Sequence, residues 1–365
     1  MKKILVISTS GFSKKEGIST MILDLLGRFD KAKFKIHLIV QGNYDRGLIS
    51  EFNNVGIICK YVPSRKKALF KYMKMLNSIF KKEKYDVVYV HGSSAIMSIE
   101  LFVAALNGCR VRLVHSHNTM CEHKILDKCF RPLFYYLYTD AMACGVDAGK
   151  WLYGDRKYLV LKNGRDIRKF SFNNDMRKKI RNQLEISDET LVVGNVGNFN
   201  EQKNQAFTLR VFKELLKLKP NSKLVLVGTG EKLNEMRMLS QELGVSNSVI
   251  FLGIVNNVQD YLQAMDVMIL PSLYEGVPLV VIEWQIARLP SLISDRITRE
   301  CAFSELVHYK SLDASYLDWA NELIKISAFE RNEISIDIDG LAIENGFDIE
   351  SSVMFLENYI LKRCG

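Results

Sequence analysis

The sequence predicts an α/β protein built from two Rossmann-like, doubly wound domains that face each other across a cleft. Three observations carry that prediction. Short apolar runs alternate with longer amphipathic stretches along the chain, the pattern of parallel sheets wrapped by helices. The length, 365 residues, suits about two domains. The alternation also restarts after the turn signal Asn163-Gly164.

In chain order, Ile4 to Ser8 reads as a buried strand, and the loop Thr9 to Gly17 leads into a helix over Ile18 to Phe29. Strands follow at Ile36 to Val40 and Ile57 to Val62, then a basic amphipathic helix over Ala68 to Lys84. Val87 to Val90, Val111 to His115 and Ala141 to Cys144 are further strands, with a helix over Ala95 to Asn107. Leu159 to Leu161 leads into the turn, and the polar segment Arg165 to Asp188 holds the domain junction at its start. The boundaries expected are 1–164 and 165–347, with a C-terminal helix over about 348–365 packing back on the first domain. In the second series, Leu191 to Asn195, Lys223 to Val227 and Val249 to Leu252 read as strands, and Ala206 to Lys217, Glu231 to Leu243 and Val258 to Met265 as helices. Ala314 to Ala328 and Ser351 to Lys362 close the chain as helices.

The most informative stretch is Asp266 to Pro290. Val267 to Leu270 is apolar throughout, as a strand buried on both faces must be. A loop with Glu275 and Gly276 follows, and Pro278 sits where a helix starts, since its missing N–H costs nothing there. Leu279, Ile282, Glu283 and Ile286 then fall at helical spacing. A helix N-terminus with free N–H groups suits a phosphate. Two flanking carboxylates suit hydroxyls, because each only accepts. Phosphate and polyol together suggest a sugar nucleotide.

Composition narrows the class. Apolar content is 48% and charged content 25%, ordinary for a globular chain. A net charge of +9 fits an anionic partner or merely a basic surface. The seven cysteines form no C-x-x-C pair and are read as reduced thiols of a cytoplasmic protein. MKKILVIST lacks a long apolar region and a cleavage site, so it reads as a first strand, and no stretch of about 18 apolar residues predicts a membrane span.

Several motifs together resemble a known family. Glu275-Gly276-Val277-Pro278-Leu279 followed by Glu283 resembles the E-x7-E signature of the retaining GT4 glycosyltransferases, which have the GT-B fold. Val196 to Asn204 resembles the family's G-R-x-x-x-x-K-N segment. Val227-Gly228-Thr229-Gly230 resembles its glycine loop, Phe251-Leu252-Gly253 a following strand, and Val160 to Gly164 its N-G-I-D junction. His115-Ser116-His117-Asn118 and the Q-K-N segment are most similar to capsular and exopolysaccharide enzymes.

The resemblance implies roles residue by residue. Glu275 would contact the donor sugar and Glu283 the ribose. Lys203 would clamp the diphosphate, a task for which a compact point charge is suited. Asn198 stands where the family has an arginine, so one phosphate-facing cation is missing. Gly228, Gly230, Gly253 and the backbone of Gly276, Val277, Pro278 and Leu279 would complete the donor site. Gly11 and Gly17 mark an acceptor or phosphate loop, with Glu16 where the family has a glycine. His117 would face the sugar, and His115 competes for that role because a two-residue slip keeps the same face. The catalytic set is therefore His117, Glu275 and Lys203.

The resemblance further implies a nucleotide-sugar donor, a UDP-sugar, and a lipid-linked or oligosaccharide acceptor. No metal cofactor is expected, because Lys203, the helix dipole and backbone amides can offset the diphosphate charge. Two metal alternatives are weak: Asp337-Ile338-Asp339 has no strand-to-loop context, and His115, His117, Cys121 and His123 match no common zinc spacing. Between Arg65 and Lys84 stand eight basic residues: Arg65, Lys66, Lys67, Lys71, Lys74, Lys81, Lys82 and Lys84. They suit either an anionic membrane, which would make the protein peripheral on its inner face, or the solvated face of an ordinary helix. Nucleic acid is not expected, since no aromatic-basic RNP-type segment is present. A GT-B epimerase and a non-catalytic nucleotide-sugar or RNA-binding protein remain competing readings.

Overall fold

The computed structural model describes residues 1–9, 12, 17–329, 331 and 336–365. These form two compact units, Met1–Gly164 with Gly346–Gly365, and Arg165–Asn345.

The first unit holds seven parallel strands: β1 (Lys2–Ser8), β2 (Phe34–Gln41), β3 (Ile58–Val62), β4 (Val87–Gly92), β5 (Val111–Ser116), β6 (Asp140–Ala143) and β7 (Leu159–Val160), in the order β3-β2-β1-β4-β5-β6-β7. Strand residues alternate between faces, and each face has its own core. Ile4 and Val6 enter one core, Leu5 and Ile7 the other. The first core is closed by helices Gly17–Gly27 and Ile349–Cys364, and the second by Leu69–Glu83, Ser98–Leu106 and Lys124–Leu137. The C-terminal helix buries Ile349, Val353, Leu356 and Ile360 in the first core. Tyr359 Oη donates to Asp140 at 2.5 Å, and Arg363 pairs with the same carboxylate at 2.7 Å.

The second unit holds β8 (Leu191–Val196), β9 (Ser222–Val227), β10 (Val249–Gly253), β11 (Val267–Leu270), β12 (Ser291–Ser294) and β13 (Val307–Lys310), all parallel, in the order β10-β9-β8-β11-β12-β13. The chain reverses direction across the sheet between β8 and β11, as it does in the first unit between β1 and β4. Ligands of such sheets bind beyond the carboxyl ends of the strands at that reversal.

Helices Arg46–Asn54, Lys124–Leu137, Val146–Tyr153 and Asn174–Gln183, and strands β12 and β13, add to the expected elements. Asn174–Gln183 falls inside the segment read as a polar connector. It buries Ile180 and Arg181 alone, and anchors through Arg177 and Arg181, which pair with Asp266 at 2.6 and 3.3 Å. Asp266 also accepts from the Val192 amide at 2.7 Å, tying this helix to the start of β8. Asp337 of the D-x-D accepts from the Gly340 amide at 2.9 Å and caps helix Ile338–Glu344, as Asp commonly does. No helix among the described residues is long and apolar enough to cross a membrane.

Candidate active site

In the second unit the loops after β8, β9 and β11 build one site at the strand reversal. The loop after β8 carries Gly197, Asn198 and Lys203. The loop after β9 presses against it so closely that only glycine fits. A Cβ on Gly228, whose φ is +135°, would lie 2.0 Å from the Gly197 carbonyl oxygen, and one on Gly230 would lie 2.2 Å from that of Phe199. The Phe199 amide donates to the Thr229 carbonyl at 2.9 Å, and the Gly228 amide to that of Gly253, at the end of β10, at 2.8 Å. The Q-K-N residues bind the loop after β11. Gln202 Nε2 donates to the Tyr274 carbonyl at 2.9 Å, its own carbonyl accepts from Leu273 at 2.8 Å, and Asn204 Nδ2 donates to the Pro271 carbonyl at 3.2 Å.

This scaffold brings Lys203 Nζ to 2.6 Å from Glu275 Oε1, with 15% and 11% of the two side chains exposed. Lys203, expected to clamp a diphosphate, is thus in an ion pair with the glutamate expected at the sugar. An ammonium has three donors, so it can hold Glu275 and still offer protons to a phosphate. Asn198 contributes its carbonyl, which accepts from Gln205 Nε2 at 2.9 Å.

The helix after Glu275 runs Leu279–Ile286. Pro278 is its N-cap, one position earlier than expected; the Val281 amide donates to the Pro278 carbonyl at 3.1 Å, and no side chain caps this end, so it can offer backbone N–H groups to an anion. Gly276 has open space around it, so its role is not steric. Glu283, in the second turn, is 7% exposed. Its carboxylate pairs with Arg165 Nε at 2.9 Å. Arg165 escaped the sequence reading because one cation in a polar junction carries no periodic signal.

In the first unit His91 and His115 are the next-to-last residues of β4 and β5 and face each other in register. His117 follows on the same side of β5. His91 Nδ1 lies 2.9 Å from His117 Nε2, and His115 Nδ1 lies 2.7 Å from Tyr89 Oη. Burial, the largest cause in each case, holds all three imidazoles below their ordinary range, His117 to about 3. All three are neutral near pH 7. Of the two histidines left open by the sequence, His115 has no exposed surface, whereas His117 is half-buried. His91, read as an ordinary strand-end residue, is the partner of His117. Two apolar strands each ending in histidine were the available signal. Gly17 opens helix Gly17–Gly27 with its surface exposed, and Gly11 and Glu16 lie outside the described residues.

Known proteins resemble this chain over nearly its full length. Residues 15–144 match the Glycosyltransferase Family 4 model, and residues 176–303 match Glycosyl transferases group 1. EpsF of Bacillus subtilis, which carries the name of a glycosyltransferase, is 30% identical over 94% of this chain and 92% of its own. The Escherichia coli UDP-Gal:alpha-D-GlcNAc-diphosphoundecaprenol alpha-1,3-galactosyltransferase is 28% identical over 92% of this chain and 91% of its own. Among solved structures, Anabaena HepE in complex with UDP superposes with a TM-score of 0.81 at 15% identity, covering 99% of this chain and 100% of that one. The HepE complex with UDP-glucose gives 0.79 at 16% identity over the same shares.

Proposed function

The chain belongs to the glycosyltransferases of the GT-B fold, and from that premise we propose a retaining enzyme that moves a hexosyl or N-acetylhexosaminyl group from a UDP-sugar to a lipid-linked or oligosaccharide acceptor. One observation carries this reading: Lys203 and Glu275 meet at 2.6 Å beside an uncapped helix N-terminus, at the strand reversal of a doubly wound sheet. A diphosphate set against Leu279–Ile286 receives backbone N–H groups and the Lys203 ammonium. Glu275 then accepts from hydroxyls of the transferred sugar, and Glu283, steadied by Arg165, from those of the ribose. His117 is the third residue of the proposed catalytic set and acts as a neutral imidazole. The leaving phosphate can take the acceptor's proton, and no metal is needed to offset its charge.

The names of two relatives support the substrate classes. The Escherichia coli relative is named for a UDP-sugar donor and a diphosphoundecaprenol acceptor, and HepE was solved with UDP and UDP-glucose. EpsF and the Staphylococcus aureus capsular polysaccharide glycosyltransferase CapH support a place in capsule or exopolysaccharide assembly.

The test is a UDP-sugar panel screened by thermal shift, followed by transfer to lipid-linked acceptors with the product anomer read by NMR. Retention of configuration, no loss of activity in EDTA, and a loss of turnover of about 100-fold or more in Glu275→Gln and Lys203→Ala are expected. Inversion of the anomer, or full turnover in both folded variants, would refute the proposal.

A further inference from the structure

We propose that His91, His115 and His117 bind a single divalent transition metal of the zinc class, at the carboxyl ends of β4 and β5. One ring nitrogen of each histidine lies within 4.8 Å of those of the other two, and no other such group occurs among the described residues. A tetrahedral zinc with bonds of about 2.1 Å requires nitrogens about 3.4 Å apart, within reach of small side-chain rotations.

Two further observations point to a ligand. Nε2 of His91 and Nε2 of His115 are buried without a hydrogen-bond partner. A buried polar atom left unpaired is costly, so such nitrogens within one strand-end cluster call for an occupant. The His115 ring is also held from behind. Tyr89 Oη, 2.7 Å from His115 Nδ1, fixes that ring, as the partner of a metal-bound histidine commonly does.

Imidazole donors select zinc, copper, nickel or cobalt over magnesium or calcium. Three protein ligands leave a fourth position for water or an incoming group. The half-buried edge of His117 is the route of entry, at the strand reversal of the first unit. On the transfer reading above, an occupied site withdraws His117 from the sugar, so zinc acts as a reversible brake.

The decisive measurement is calorimetric titration of the chelator-stripped full chain with ZnCl2, paired with absorption spectra of the Co2+ form. One equivalent should bind, with cobalt bands of a tetrahedral, nitrogen-rich site and no thiolate charge-transfer band. Loss of an outer partner costs 10–100-fold in affinity, so Tyr89→Phe should weaken binding about tenfold and His91→Asn or His115→Asn by about 100-fold or more. His123→Asn, on an exposed histidine, should change nothing. Failure of the native chain to bind stoichiometrically, a thiolate band from the free cysteines, or undiminished binding in folded His91→Asn and His115→Asn would overturn the site. If those two variants do not fold, the Tyr89→Phe titration and the native cobalt spectrum decide. Binding is read without donor or acceptor, so the result stands apart from transfer activity.

Discussion

Arg165 and Glu283 meet at 2.9 Å with 8% and 10% of their side chains exposed. A carboxylate so enclosed needs a cation nearby, and losing one member of a buried pair is costly. Arg165 therefore positions Glu283 and need not touch the donor. Arg165→Met keeps much of the stem and removes the charge. It should raise the donor KM by about tenfold, the scale of one charged hydrogen bond, with kcat nearly unchanged. An equal fall in kcat, or an unchanged KM in steady-state kinetics, would contradict the positioning role. Residue types and spacing around Glu275 and Glu283 were legible because a strand, a proline and a helical period frame them. Arg165 and His91 were not, since each matters only through a partner far away in sequence, Glu283 and His117.

At the scale of the element, helix Leu69–Glu83 shows how far a pattern reaches. Tyr72, Leu76 and Phe80, at i, i+4 and i+8, are buried in the core of the first unit. Phe70 is 87% exposed and Met75 42%, among exposed Lys71, Lys74, Lys81 and Lys82. Arg65 leaves the basic set, because Glu100, fully buried, holds it at 2.9 Å and also accepts from Tyr72. The remaining lysines and the bare phenylalanine suit an anionic bilayer surface, each cation near it contributing about 1 kcal/mol. Phe70→Ser with Lys71→Gln and Lys74→Gln should reduce co-sedimentation with phosphatidylglycerol vesicles at least about tenfold while sparing donor binding. Equal sedimentation would mean a merely solvated face. The amphipathic period was plain in the sequence. Asn174–Gln183 gave no such signal, because it docks through guanidinium groups on Asp266 rather than through an apolar stripe. In Lys124–Leu137, Pro132 interrupts the pattern.

Across the whole molecule, the first unit is assembled from both ends of the chain. Leu356 is fully buried in the same core as Ile4 and Val6, 350 residues upstream in round terms. Leu356→Ala should lower the stability of that unit by about 2–5 kcal/mol. Hydrogen exchange should show the loss as faster exchange in β1 and β4, with β8 and β11 unaffected. Unchanged exchange in β1 would contradict the packing role of the helix. The two-series alternation made the pair of sheets legible, whereas β12 (Ser-Leu-Ile-Ser) and β13 (Val-His-Tyr-Lys) offer no unbroken apolar run for a pattern to catch.

The closing position of that helix has a consequence for how the protein is made. Domains ordinarily mature in order of synthesis, the amino-terminal one first. Here Arg165–Asn345 is continuous in sequence and can fold as soon as it clears the ribosome. The unit that begins at Met1 must wait for Ile349–Cys364, translated after the whole of the second unit, before its core is closed. The growing polypeptide therefore carries an unfinished amino-terminal half past the completion of the later one. That makes the nascent first unit, with one face of its sheet only partly covered, the natural client for chaperones during translation.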